Sequence, residues 1–209
     1  IKNMKIKVID NFLNEKDFRM FKNLDLPEVS PDKIKIFHNK IDEDNNCFTE
    51  CVSDQILKDL QNNYHQQALK ILEELYPEKI KLYNYSEFHV VLTGSKYKFP
   101  IHDDTPNKLL SGVIYINPEK NKGTMFCDDK KGSNSKNIDW KQNRAVFFAR
   151  KERETWHSYE GDKINTRVAL VYNLMTNDVK SVCKIETLRL SACSNLPKLT
   201  ENDHQQPNL

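Results

Sequence analysis

Between Ser53 and Tyr76 the apolar residues Leu57, Leu60, Tyr64, Ala68, Leu72 and Leu75 recur at helical spacing, which puts them on one side of a 3.6-residue period. Ser53 is placed to cap this helix and Pro77 to stop it, with His65 on the polar, exposed side. The stripe is packing surface, so the helix should back a sheet. Before it, MKIKVIDNFLNEKDFRMFKNL reads as a strand followed by a helix, with Asn14 as N-cap and Phe18 and Phe21 on the buried face. From residue 81 the period changes to two. Alternation predicts strands near 87–93, 97–102, 109–116, 123–127, 144–149, 155–159 and 166–174. Such a series of short strands behind N-terminal helices is α+β but mainly β, and it fits a double-stranded β-helix, a jelly-roll barrel supported by those helices.

Residues 1–178 are therefore expected to form a single domain, with the N-terminal strand and helices in 4–80 and the barrel core in 81–178. Residues 179–209 form a C-terminal extension, in which SVCKIETLRL would add one strand and SNLPKLTENDHQQPNL has the composition of a flexible tail. Two polar stretches interrupt the pattern. Residues 27–50 contain a short candidate strand, Lys33 to Phe37, and the acidic IDEDNN; they are a candidate substrate loop at the barrel mouth or, equally, an ordinary surface connection. Residues 127–143 are rich in Lys, Asn, Ser and Gly, the composition of a mobile loop that could close over substrate, with a plain flexible hairpin the preferred reading. Trp140 and Trp156 are expected in the core or at the rim. No internal repeat is visible.

The chemistry lies in His102, Asp104, His157 and Arg167. KFPIHDDTP reads as a strand end, and side chains at i and i+2 share one side of a strand, so His102 and Asp104 can reach one metal while Asp103 points away. A distant His157 completes two histidines and one carboxylate, a set that leaves three of six octahedral positions open on Fe(II), as in non-haem iron oxygenases. In ETWHSYEGDKINTRVALVYNL a short strand carries His157, a turn at Glu160 to Lys163 contains Gly161, and a long apolar strand follows. This predicts a hairpin that returns Arg167 to the neighbourhood of His157. A guanidinium beside a cationic metal needs an anion between them, and a dicarboxylate held bidentately by the planar fork supplies one.

With these pieces in place, the chain resembles the 2-oxoglutarate and Fe(II)-dependent oxygenases of the prolyl-hydroxylase-like branch. The matching segments are FLNEKDF, Tyr97 to Asp104, LLSGVIYIN, GTMF, NRAVFFA, WHSY and NTRVALVYNL, which together cover most of residues 4–176. The resemblance implies His102, Asp104 and His157 as the iron ligands and catalytic centre. It implies Arg167 as the anchor of the far carboxylate of 2-oxoglutarate, with Tyr115 helping to hold that carboxylate. It further implies Fe(II), 2-oxoglutarate and O2 as cofactors, and a dioxygenase that couples decarboxylation of 2-oxoglutarate, giving succinate and CO2, to hydroxylation of a second substrate. Halogenating relatives replace the carboxylate ligand with a small residue, whereas Asp104 keeps it. The paired glycine common before the GTMF-like strand is here Lys122-Gly123, and no substrate-recognition motif is recognisable. The competing class is a non-catalytic or cupin-like metal-binding barrel, which would have no use for Arg167.

Composition narrows the setting. A chain of 209 residues, 38% apolar and 30% charged, is long enough for a sizeable core. No apolar run approaches the roughly 20 residues of a membrane span, and no signal segment is apparent. Five cysteines, without framework spacing, suggest free thiols in a reducing, cytoplasmic setting, and Cys47 and Cys51 lack the second pair of a zinc site. Within the net charge of +2, residues 79–153 hold 15 Lys and Arg against 8 Asp and Glu. That basic half would suit an anionic substrate, but solvated strand faces account for the same lysines without any partner. A small molecule or peptide side chain is preferred to a nucleic acid base, because no aromatic and basic stacking platform is evident.

Overall fold

A computed structural model describes residues 5–187. The first helix, α1 (Glu15–Lys22), opens at Asn14, whose side chain accepts the Asp17 N–H. The second, α2 (Asp54–Leu75), opens at Ser53, whose hydroxyl accepts the Ile56 N–H, and it gives way at Pro77 to a 3-10 turn over Pro77–Leu82. Both caps satisfy an N–H that the first helical turn leaves without a partner. The α2 stripe of Leu57, Leu60, Tyr64, Ala68 and Leu72 is buried. His65, expected on the exposed side, is half-buried, its ring 4.7 Å from that of Tyr83.

The strands among the described residues are β1 (Ile6–Ile9), β2 (Ile34–Phe37), β3 (Lys40–Asp42), β4 (Cys47–Phe48), β5 (Tyr85–Thr93), β6 (Lys98–His102), β7 (Lys108–Asn117), β8 (Thr124–Cys127), β9 (Lys136–Ile138), β10 (Ala145–Ala149), β11 (Trp156–Glu160) and β12 (Arg167–Met175). They make two antiparallel sheets. The larger runs β1-β10-β7-β12-β5-β3-β4, with β2 also pairing with β5, and the smaller runs β6-β11-β8-β9. This is the jelly-roll barrel that the two-residue period predicts. Alternation along β5 and β12 sorts their residues between two environments. Phe88, Val90, Leu92, Leu170, Tyr172 and Leu174 join the α2 stripe in the main core. Val91, Thr93, Arg167, Ala169, Val171 and Asn173 line the barrel interior. The stacked Phe88 and Tyr172 rings, 4.2 Å apart, add about 0.5–1.5 kcal/mol beyond the area they bury. Gly112 on β7 makes this packing feasible, because a Cβ there would lie 2.4 Å from the Phe147 ring.

Three expectations change. The strands either side of Gly161 are not paired with each other: β11 sits between β6 and β8 in the small sheet, β12 between β7 and β5 in the large one. The turn between them crosses from sheet to sheet and is fixed to the 94–97 connection, with Gly161 N–H donating to Tyr97 O and Lys163 N–H to Ser95 O. Second, the strand expected after residue 180 is a helix, α3 (Val179–Thr187). Asp178 starts it by accepting the Ser181 N–H, and Val182 and Glu186, one helical turn apart, are buried. The expected tail, residues 188–209, lies outside the described residues. Third, the candidate substrate loop at 27–50 holds, beside the expected strand β2, two more short strands: β2 and β3 pair with β5 and β4 with β3. The stretch 127–143 forms the preferred hairpin, β9 pairing antiparallel with β8, and the Trp140 indole N–H donates to Pro118 O.

No helix of the described residues is long and apolar enough to cross a membrane.

Candidate metal centre and cavity

His102 and His157 stand directly opposite each other in the β6–β11 ladder, so their rings lie side by side, centroids 4.2 Å apart. Each ring is oriented from behind. His102 Nδ1 is 2.8 Å from Pro100 O and His157 Nδ1 is 2.8 Å from Thr155 O. A carbonyl only accepts, so each Nδ1 carries the hydrogen and each neutral ring presents a bare Nε2. Asp104 lies two residues beyond His102, past the end of β6. Its Oδ1 is 3.4 Å from His102 Nε2 and 3.6 Å from His157 Nε2. One donor atom from each of the three residues falls within 4.8 Å of the others, and all three residues are buried. Among the described residues this is the one such cluster. The His102 Nε2 has no hydrogen-bond partner. Two neutral imidazole nitrogens and a carboxylate oxygen aimed at one point, with their outer nitrogens held by carbonyls, suit a divalent metal ion.

The electrostatics agree. Burial alone would raise the Asp104 carboxyl, but Lys108 and the two histidines outweigh it and hold the group well below the carboxylate range. Ser111 donates to Asp104 Oδ2 at 2.8 Å. Burial and the His157 charge lower His102, while His157, which burial would also lower, is raised by Asp104. A divalent cation would compete with any proton drawn to His157 Nε2 by Asp104. Asp103 turns the other way. Its carboxylate accepts from Thr155 Oγ1 at 2.5 Å and from the Arg153 N–H at 2.6 Å, and burial pushes it up to about 6 against the pull of Arg150.

Arg167 opens β12 and faces the same cavity as Asp104 and His157. It is 2% exposed, makes no ion pair with any described residue, and its Nε has no hydrogen-bond partner. Aromatic faces surround it: the guanidinium carbon is 4.4 Å from the Tyr159 ring centroid, 5.2 Å from that of Trp140 and 5.6 Å from that of Tyr115. Burial lowers its pKa. The rings offset part of the lost hydration, but a buried cation without a counter-charge remains unfavourable. Ser111, Thr124, Asn173 and the apolar Val91, Val113 and Phe148 complete the wall between Arg167 and the metal ligands. The cavity therefore brings a cluster suited to a cation and a group suited to an anion into one enclosure.

Every site residue expected from the sequence is in or beside this cavity, and one has a different setting from the expectation. The Tyr115 hydroxyl bonds Thr124 Oγ1 at 2.8 Å and its ring stacks on Trp140 at 4.5 Å. It stands behind Thr124, whose side chain lines the cavity. Tyr159 and Thr93 were missed. Tyr159 was within reach, because it lies two residues after His157 and so shares its face. Thr93 is opposite Arg167 in the β5–β12 ladder, a pairing that alternation within one strand does not reveal.

No family model matches the sequence, and no curated protein matches it. Solved structures do. A prolyl-4-hydroxylase from Pseudomonas putida superposes with a TM-score of 0.58 at 13% identity, over 84% of this chain and 95% of that one. An oxidoreductase of the 2OG-Fe(II) oxygenase family from Burkholderia pseudomallei gives 0.56 at 13% identity, over 83% and 84%. IDO from Bacillus thuringiensis gives 0.55 at 13% identity, over 82% and 90%. The chain has the 2OG-Fe(II) oxygenase-like fold, and its His102, Asp104 and His157 cluster lies within that barrel.

Proposed function

We propose that the chain is an Fe(II)- and 2-oxoglutarate-dependent dioxygenase that hydroxylates a small molecule or a peptide side chain. His102, Asp104 and His157 would hold the iron, and Arg167 would receive the far carboxylate of 2-oxoglutarate. The observation that carries this reading is Arg167, a buried guanidinium without an acid partner among the described residues, in the same cavity as the two-histidine, one-carboxylate cluster. A metal-binding barrel without a dicarboxylate gives that cation no counter-charge. When bound, the iron supplies the oxidative chemistry, activating O2 as 2-oxoglutarate is decarboxylated.

The chain's own residues do the rest. The Pro100 and Thr155 carbonyls fix both ligand rings, Ser111 and Lys108 keep Asp104 ionised, and Val91, Val113 and Phe148 exclude water from the space between metal and Arg167. Thr124, with Tyr115 behind it, and Tyr159 stand ready to contact the carboxylate beside the guanidinium. The four described cysteines are free thiols, which supports a reducing, cytoplasmic setting. The test is succinate formation from 2-oxoglutarate, dependent on added Fe(II) and screened against pools of small molecules and peptides. Formation that persists undiminished in Arg167→Met would remove the basis of the assignment.

A further inference from the structure

Helix α3 stands outside the barrel, yet its Glu186 is buried and its carboxylate gathers donors from three places. Lys79 Nζ donates to it at 2.6 Å, Arg150 Nη1 at 3.2 Å to each oxygen, and the Glu152 N–H at 3.3 Å. Lys79 also donates to the Arg150 backbone carbonyl. The same Arg150 reaches in the other direction, its Nε donating to the Asp104 carbonyl at 2.7 Å. One guanidinium thus bridges α3 and the backbone of a metal ligand.

That bridge matters because of where Asp104 sits. Strand β6 ends at His102, so no ladder fixes Asp104, whereas a metal site requires ligand distances within about 0.2 Å. The segment that carries Arg150 leads directly to the third ligand. Its Arg153 N–H and Thr155 hydroxyl hold the Asp103 carboxylate, and its Thr155 carbonyl receives the Nδ1–H of His157. Residues 150–157 therefore bear one ligand and are bonded to the segment bearing the other two. Glu186 fixes the start of that segment. Stability alone is a poor reason for such a group, since a buried ion cluster is commonly replaceable by apolar side chains without loss.

We propose that Glu186 and Arg150 are positioning residues for the metal centre, with α3 acting through them to set the placement of Asp104 relative to His157. The proposal rests on the assignment of His102, Asp104 and His157 as ligands. Glu186 hydrogen-bonds none of those three side chains, and the contacts that link it to them run through Arg150 and the 150–155 segment.

Co(II) binding to the full-length chain tests this without turnover, read by calorimetry and by the ligand-field spectrum. Arg150→Lys keeps the charge but removes the fork that spans Glu186 and the Asp104 carbonyl, and Glu186→Gln keeps the shape but removes the charge. Each is expected to weaken Co(II) binding about 10- to 100-fold and to alter the bound-metal spectrum while circular dichroism stays native. A complementary measurement uses the unaltered protein. Because coupling is reciprocal, Co(II) should slow amide exchange in residues 179–187. Native-like variants with Co(II) affinity within threefold of wild type, or α3 exchange indifferent to Co(II), would overturn the positioning role and leave the ligand assignment standing. Wild-type protein that binds no Co(II) would overturn both.

Discussion

Replacing Arg167 with Met separates a cosubstrate anchor from a structural cation, because the two roles move stability and affinity in different ways. The guanidinium is 2% exposed and its Nε is without a partner. In the empty protein it contributes contacts to the Tyr159, Trp140 and Tyr115 rings and bears the cost of burial. Met fills similar length with a polarizable chain against the same rings, so the two effects largely cancel. The expected change is within about 1 kcal/mol, roughly 2–4 °C in Tm for a chain of this size. Affinity should respond far more. Removing one partner of a buried charge-assisted pair costs about 2–5 kcal/mol, which is on the order of 30- to several-thousand-fold in Kd. Calorimetric titration of 2-oxoglutarate into Zn(II)-loaded protein, beside thermal unfolding of the metal-free form, gives both numbers. Arg167→Lys should recover only part of the affinity, because an ammonium lacks the bidentate fork. A Kd within threefold of wild type in Arg167→Met would refute the assignment of this residue to the cosubstrate.

Three further outcomes follow from the structure. Asp104→Ala should abolish stoichiometric divalent-metal binding, measured by equilibrium dialysis, while leaving the circular dichroism spectrum native; a retained equivalent of metal would show that the ligand set is wrong. Asp103 is raised to about 6 in the folded state from a usual value of 3.8, so the folded form binds the proton more tightly and stability falls as pH rises from about 4 to 6, by on the order of 3 kcal/mol. Asp103→Asn should flatten that slope in urea titrations of the metal-free protein across this range, and an unchanged slope would assign it to another group. Gly161→Ala should destabilise the chain by several kcal/mol, because its Cβ would lie 2.1 Å from the Ser95 backbone oxygen where the β11–β12 turn docks; chemical unfolding with a wild-type midpoint would contradict that packing.

Much of the cavity was legible because strand alternation is local. His102 and Asp104 two residues apart, with Asp103 facing away, needed no knowledge of the fold, and the helix stripe ending at Pro77 was equally plain. Strand pairing is not local. The segment from Trp156 to Met175 looks like a hairpin to any rule that counts the turn residues, yet its two strands belong to different sheets because the turn's backbone donors find partners at Ser95 and Tyr97. Arg167 still faces the same cavity as His157, though across it instead of beside it. The C-terminal helix was obscured for a related reason. Glu186 interrupts an apolar face, and its burial makes sense only through distant partners, Lys79, 107 residues earlier in the chain, and Arg150, 36 residues earlier. The Tyr115 ring lies 5.6 Å from the Arg167 guanidinium, but the sequence does not show that Thr124 takes its hydroxyl.

The central claim is that one cavity holds iron on His102, Asp104 and His157 and a dicarboxylate on Arg167 at the same time. Anaerobic titration of Fe(II) into protein containing 2-oxoglutarate, followed by visible absorption, tests it most directly, since an α-keto acid chelated to Fe(II) gives a metal-to-ligand charge-transfer band that succinate cannot give. Wild-type protein is expected to develop the band to saturation at one iron per chain, and His157→Ala to develop none. Saturable iron binding without the band in wild type, or the same band in His157→Ala, would contradict it.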